Sequence, residues 1–167
     1  MAATIEKAQV ALPNDTDVVV TRAFNAPRAL VWRAHTEPEL LKRWMTGHDG
    51  WSFPVCEMDV RPGGKYRWRW RNDENGQEFG FYGEFHEISA PARFEHSEFF
   101  DPGDVGGDMG SGARITTEFA ERDGVTTMTT TIRYKTKEER EAALSTGMTD
   151  GMEYSYQKLD DLLTKQI

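Results

Sequence analysis

Cys56 is the only cysteine in the 167 residues, so no disulfide framework is possible within the chain. A lone strand cysteine is expected to serve as a small core residue in a reducing compartment. Long apolar runs are missing as well. No stretch approaches the about 20 residues of a membrane-spanning helix, and Met1 to Leu12 lack the apolar run of a secretory signal. A soluble, cytoplasmic chain with no membrane partner is the expectation. Positive charge is scarce: 20 Lys and Arg stand against 28 Asp and Glu, for a net charge of −8. That balance argues against non-specific binding to nucleic acid or an anionic surface. His35 and His48 share no metal-ligand spacing, and no close His/Cys cluster exists. No glycine-rich phosphate loop precedes a helix. Neither a metal nor a cofactor is expected.

What the chain does have is a run of eight residues, Gly-Lys-Tyr-Arg-Trp-Arg-Trp-Arg at 64–71. On a strand, successive side chains point to opposite faces. Tyr66, Trp68 and Trp70 therefore share one face, and Lys65, Arg67, Arg69 and Arg71 the other. The cationic face suits a solvated sheet surface paired with carboxylates. The aromatic face makes an apolar wall, fit for a core or for the lining of an organic-ligand pocket.

The rest of the pattern is α+β. Residues 1–15 carry Pro13, Asn14 and Asp15 without periodicity and read as a loose tail, leaving 16–167 as a single domain. Val18, Val19, Val20 and Phe24 predict a strand over about 17–24. Asn25 and Pro27 then open a short helix with Leu30, Val31 and Ala34 on its apolar stripe. A second helix is expected from Thr36, with Pro38 at its start, Leu40, Leu41 and Trp44 buried, and Gly47 ending it. From there the period becomes two. Strands are predicted at 53–60, 64–71, 78–88, 93–100, 113–120 and 125–134, joined by turn sequences such as Arg61-Pro62-Gly63-Gly64 and Asn75-Gly76. Residues 101–112 hold five glycines and read as a mobile connection, with a lid over a pocket as the alternative. A short helical segment at 138–145 precedes a long helix over about 148–164, with Met148, Met152, Ser155 and Leu159 on one stripe. One strongly curved sheet needs its concave face covered, and that terminal helix is the only element long enough.

Five segments carry a resemblance. They are Thr21–Trp32, Glu37–Trp44, Arg61–Tyr66, Gly83 with Glu87-Ile88 and Pro91–Phe94, and Gly147-Met148 with Gly151-Met152 and Leu159–Leu163. Together they resemble the family named after the C-terminal domain of the activator of heat-shock protein 90 ATPase, within the START-like (SRPBCC) superfamily. The resemblance implies a helix-grip fold: a curved antiparallel sheet around a long C-terminal helix, two short helices after the first strand, and a cavity between sheet and helix. It also implies binding of hydrophobic molecules there. The chain departs from the family pattern at Trp44-Met45-Thr46-Gly47, and at Gly151-Met152, where Gly-Trp is common. A flexible Met at that point should soften or enlarge the cavity.

If the Trp face points inward, the ligand-lining set is Tyr66, Trp68 and Trp70, then Phe79, Phe81 and Phe85 on one face of the next strand or Tyr82 on the opposite one. Met128, Thr130 and Ile132 join from the last strand, and Met148, Met152, Ser155, Tyr156 and Leu159 from the helix. Thr130 and Ser155 would be the polar groups of such a site. The same residues would fill an ordinary core. His96 with Glu98, and Glu84 with His86, each share a strand face and could form a general base, but such pairs more often sit on the outer face of a sheet. No nucleophile accompanies them. Three readings follow: a binding protein for a small hydrophobic or aromatic molecule, a cyclase- or hydrolase-type enzyme using the same cavity, and a stress-response module acting on a chaperone.

Overall fold

The computed structural model describes residues 5–103 and 112–165. Eight antiparallel strands form one sheet in the order β1-β2-β8-β7-β6-β5-β4-β3. They are β1 (Gln9–Ala11), β2 (Asp17–Phe24), β3 (Trp51–Met58), β4 (Lys65–Asn72), β5 (Glu78–Ser89), β6 (Arg93–Asp101), β7 (Ala113–Arg122) and β8 (Val125–Tyr134). Helices α1 (Arg28–Thr36) and α2 (Pro38–Leu41) lie between β2 and β3; α3 (Lys137–Leu144) and α4 (Met148–Thr164) follow β8. This is the α+β helix-grip fold. Most of the expected 101–112 connection, and with it the lid reading, lies outside the described residues.

Two local departures have plain causes. The segment expected to be a loose tail supplies β1, because Gln9, Val10 and Ala11 pair with Thr21, Val20 and Val19 of β2. Too short and too exposed to show a period, such a strand is held by its backbone ladder alone. The first helix starts after Pro27, which takes the N-cap position in place of the expected Asn25 and offers no side-chain cap. Pro54 sits within β3, the sheet's edge strand, where the register slips between Ser52 and Val55. An edge with a bulge is where a strand tolerates proline.

Alternation sorts the side chains cleanly. Val18, Val20 and Phe24 of β2, Phe119, Met128 and Ile132 of β7 and β8, and Leu159, Leu162 and Leu163 of α4 are buried together between sheet and helix. On the convex face, Arg69 bonds Glu78 at 2.9 Å and Asp101 at 2.7 Å, a pairing that keeps the cationic side of β4 solvated but ordered.

Candidate functional site

The sheet and α4 do not close completely on each other. A cavity of about 550 Å³ remains between them. Its aromatic wall comes from Trp68 and Trp70 of β4, Phe79, Phe81 and Phe85 of β5, and Phe94 and Phe100 of β6. The register explains the arrangement, since Trp68 pairs with Phe81, Trp70 with Phe79, and Phe81 with Phe100. Directly opposite side chains on one sheet face touch, and here the Trp70 and Phe79 rings stack with centroids 5.7 Å apart.

Of the residues expected to line the site, twelve do: Trp68, Trp70, Phe79, Phe81, Phe85, Met128, Thr130, Ile132, Met148, Met152, Ser155 and Tyr156. Three do not. Tyr82 lies on the convex face, 48% exposed and stacked on Phe99 at 5.5 Å; strand parity opposite to Phe81 puts it there. Leu159 is fully buried in the packed core one helical turn beyond the cavity. Tyr66 faces inward but is wedged among Trp68, Phe85 and His96, and its hydroxyl donates to the Ser97 carbonyl at 2.7 Å.

The polar groups are also redistributed. Ser155, 5% exposed, accepts the Gly47 N–H at 2.9 Å, and Thr130 shares a hydrogen bond with Tyr156. Both expected polar contacts are thus engaged within the protein. Trp70 Nε1 donates to the Met45 carbonyl at 2.8 Å and Trp44 Nε1 to the Ala34 carbonyl at 2.9 Å. Trp68 Nε1 has no hydrogen-bond partner among the described residues.

His96 and Glu98, expected on the outer face, line the cavity instead. They share strand parity with Phe94 and Phe100, and those flanking aromatics are the signal in the sequence that places them inward. His96 is 4% exposed, and neither ring nitrogen has a hydrogen-bond partner among the described residues. Burial lowers its pKa to about 3, with His86 adding a smaller push in the same direction, so the ring is neutral. Glu98 forms no hydrogen bond or ion pair among the described residues, and burial alone pushes its carboxyl up to about 7. In register, Glu98 pairs with Ala113, which pairs with Tyr134. The Glu98 charge opposes ionisation of two phenols, Tyr66 and Tyr134, as a smaller effect beside their burial. His86, the expected partner of Glu84, is the extra residue where the β5–β6 register shifts between Phe85 and Glu87.

The segment after α2 completes the cavity with Met45, Thr46, Gly47 and His48. It is tied to α4 by the Ser155 contact and by Lys158 Nζ, which donates to the Gly47 carbonyl at 2.9 Å. His48 packs on Tyr154 of α4 with centroids 4.2 Å apart. At the far end His35 lies against Trp44 and Phe119. None of these was expected at the site: a turn after a single-turn helix has no period to reveal which side chains reach the cavity.

The family model described as Activator of Hsp90 ATPase homolog 1-like protein matches residues 25–164, and the chain belongs to that family, with the SRPBCC fold. None of the curated proteins matches it. Among solved structures, a Rhodobacter sphaeroides protein is 28% identical with a TM-score of 0.87, over 96% of this chain and 99% of its own. A Nitrosomonas europaea protein is 26% identical with a TM-score of 0.78, over 93% and 98%. An AHSA1-like protein from Aeromonas hydrophila, 19% identical with a TM-score of 0.64 over 86% and 93%, shares the fold. Among the described residues no helix is long and apolar enough to cross a membrane.

Proposed function

We propose that the protein binds a small organic molecule with an aromatic or other apolar body in the cavity between the sheet and α4, and that it does so in the cytoplasm. The observation that carries this reading is the cavity itself: about 550 Å³, walled by indole and phenyl rings on one side and by Met148 and Met152 on the other. Small-molecule sites fall in the range of about 300–1,000 Å³, mostly apolar with a few polar groups. Two flexible thioethers opposite rigid rings suit a ligand whose outline the site adapts to. The lone cysteine, half-buried and unpaired, is compatible with a reducing compartment. The test is a titration of tryptophan emission with a panel of aromatic probes. Saturable quenching is expected, because Trp68 and Trp70 stand in the wall. Met152→Trp, which fills the cavity from the helix side, should abolish binding without unfolding the protein. Equal quenching in both proteins would refute the reading.

A further inference from the structure

Resting on the binding reading above, we infer that the cavity selects organic cations: an amine with an aromatic or apolar body, its ammonium group seated on the Glu98 carboxylate beside the rings of Trp68 and Tyr134 on the same wall.

Four observations converge. Among the described residues, Glu98 is the one carboxyl group on the cavity wall, and no lysine or arginine shares the wall with it. It has neither a hydrogen bond nor an ion pair among the described residues. A half-buried carboxyl group in apolar surroundings favours a proton or a cation beside it, since an uncompensated charge removed from water is costly. Its neighbours are aromatic: Tyr134 lies across Ala113 in one lateral row of the sheet, and Trp68 shares the cavity wall. Aromatic faces attract an ammonium group, and more strongly once water is excluded. Beside it, the buried His96 ring is uncharged and has both nitrogens unpartnered, so it supplies an acceptor for a second ammonium N–H without adding positive charge.

The same inventory decides against anions. A carboxylate ligand would lose its hydration with no guanidinium or ammonium to receive it, and would face Glu98 directly. Like charges held close in a poorly solvated site repel strongly. A neutral alcohol could donate to Glu98, but it brings no charge to compensate the carboxylate.

Three probes of one shape separate these outcomes: naphthylethylamine, naphthylethanol and naphthylacetate, titrated calorimetrically into the wild-type protein and Glu98→Gln at neutral pH. The amine should bind about tenfold or more tighter than the alcohol, a ratio worth about 1.4 kcal/mol. The acetate should bind weakest. In Glu98→Gln the amine's advantage should fall to within about twofold, while the alcohol's affinity is unchanged. Equal affinities for the three probes in the wild-type protein would overturn the cation assignment and leave the cavity-binding reading standing. An acetate that binds tightest would do the same. Failure of all three to bind would overturn both. Glu98→Met, which also removes the charge, repeats the test should Glu98→Gln fold poorly. An amine preference that survives in either folded variant overturns the assignment.

Discussion

Arg22 and Asp160 meet as a two-pronged pair, Nη1 to Oδ1 at 3.0 Å and Nη2 to Oδ2 at 2.6 Å. The same guanidinium donates to both oxygens of Glu153, at 3.1 and 3.2 Å. One side chain of β2 thus clamps two carboxylates of α4 that lie about two turns apart on one helical face, and fixes the helix against the sheet. Arg22 is only 3% exposed. Glu153 also accepts the Ala8 N–H at 2.7 Å, which draws the approach to β1 onto the same point.

Truncating Arg22 leaves two partly exposed carboxylates without their shared counter-charge. Arg22→Met should destabilise the fold by about 1.5–3 kcal/mol, the scale of a hydrogen bond to a charged group, read as a lowered denaturant midpoint. Arg22→Lys keeps the charge but loses the fork, and should fall between. For Glu153, burial works against ionisation, yet the hydrogen bonds from Arg22, Ala8 and Gln157 outweigh it and hold its pKa below the ordinary carboxylate range. Its contribution is therefore present above that range and is lost as pH falls through the lowered folded-state value. Arg22→Met should accordingly lose part of the wild-type acid sensitivity.

A second pH dependence runs the other way. Glu98 has its pKa raised to about 7 in the folded protein, so the folded state holds a proton that the unfolded chain releases near the ordinary value. Its stabilising protonation is complete below about pH 4 and is lost as pH rises to about 7. Glu98→Gln should gain up to about 3 kcal/mol over wild type at about pH 8 and nothing at about pH 4. His96, held neutral with a pKa of about 3, has the opposite sign: its stability is lost as pH falls below the unfolded value near 6.5. His96→Phe fills the same aromatic slot without the unpartnered nitrogens, and should be neutral or stabilising at neutral pH while flattening the acid limb. Denaturant titrations across pH on the two variants check both signs.

The architecture was legible because period carried it. Val18 to Phe24, the Tyr66–Trp70 alternation and the Met148–Leu163 stripe each announced an inner face, and the strands and α4 lie where those periods put them. The lining of the cavity was legible to the same depth, since Trp68, Trp70, Phe79 and Phe81 follow from strand parity and Met152 from the helical stripe. Parity fails where a strand carries aromatics on both faces. In β6, Phe99 competes with Phe94 and Phe100, and the polarity of His96 and Glu98 argued for the solvent side. The parity shared with Phe94 and Phe100 was the one local signal for the inward placement of His96 and Glu98, and their polarity outweighed it. Segment 45–48 was hidden for a different reason: its place at the cavity depends on hydrogen bonds to Ser155 and Lys158, over a hundred residues away.

Gly83 sits where a side chain would meet both a backbone carbonyl and an aromatic ring. A Cβ there would lie 2.0 Å from the Ser97 carbonyl oxygen and 2.9 Å from the Tyr66 ring. The absent side chain is what lets Tyr66 lean across β5 to donate to that carbonyl. Gly83→Ala must displace backbone rather than a flexible tip, so it should cost about 2–3 kcal/mol and break the Tyr66 hydrogen bond. Tyr66→Phe removes that bond alone and should cost about 1 kcal/mol. If Gly83→Ala proves no worse than Tyr66→Phe in a denaturant titration, the close approach is not the constraint at this position.

Gly151 poses the reverse case. It sits in the first turns of α4 on the cavity wall, and a Cβ there would meet nothing within 4 Å. Its φ is not left-handed, so no backbone demand calls for glycine. In a helix, glycine is destabilising by about 0.5–1 kcal/mol relative to alanine. Gly151→Ala should therefore raise stability by about that amount and leave probe binding almost intact, since one methyl takes little of the free space. Gly151→Phe should keep the helix but project a ring across the cavity, weakening binding of every aromatic probe by tenfold or more at unchanged or slightly higher denaturant midpoint. A stable Gly151→Phe protein that binds as tightly as wild type would mean that the space beside α4 is not where ligands go.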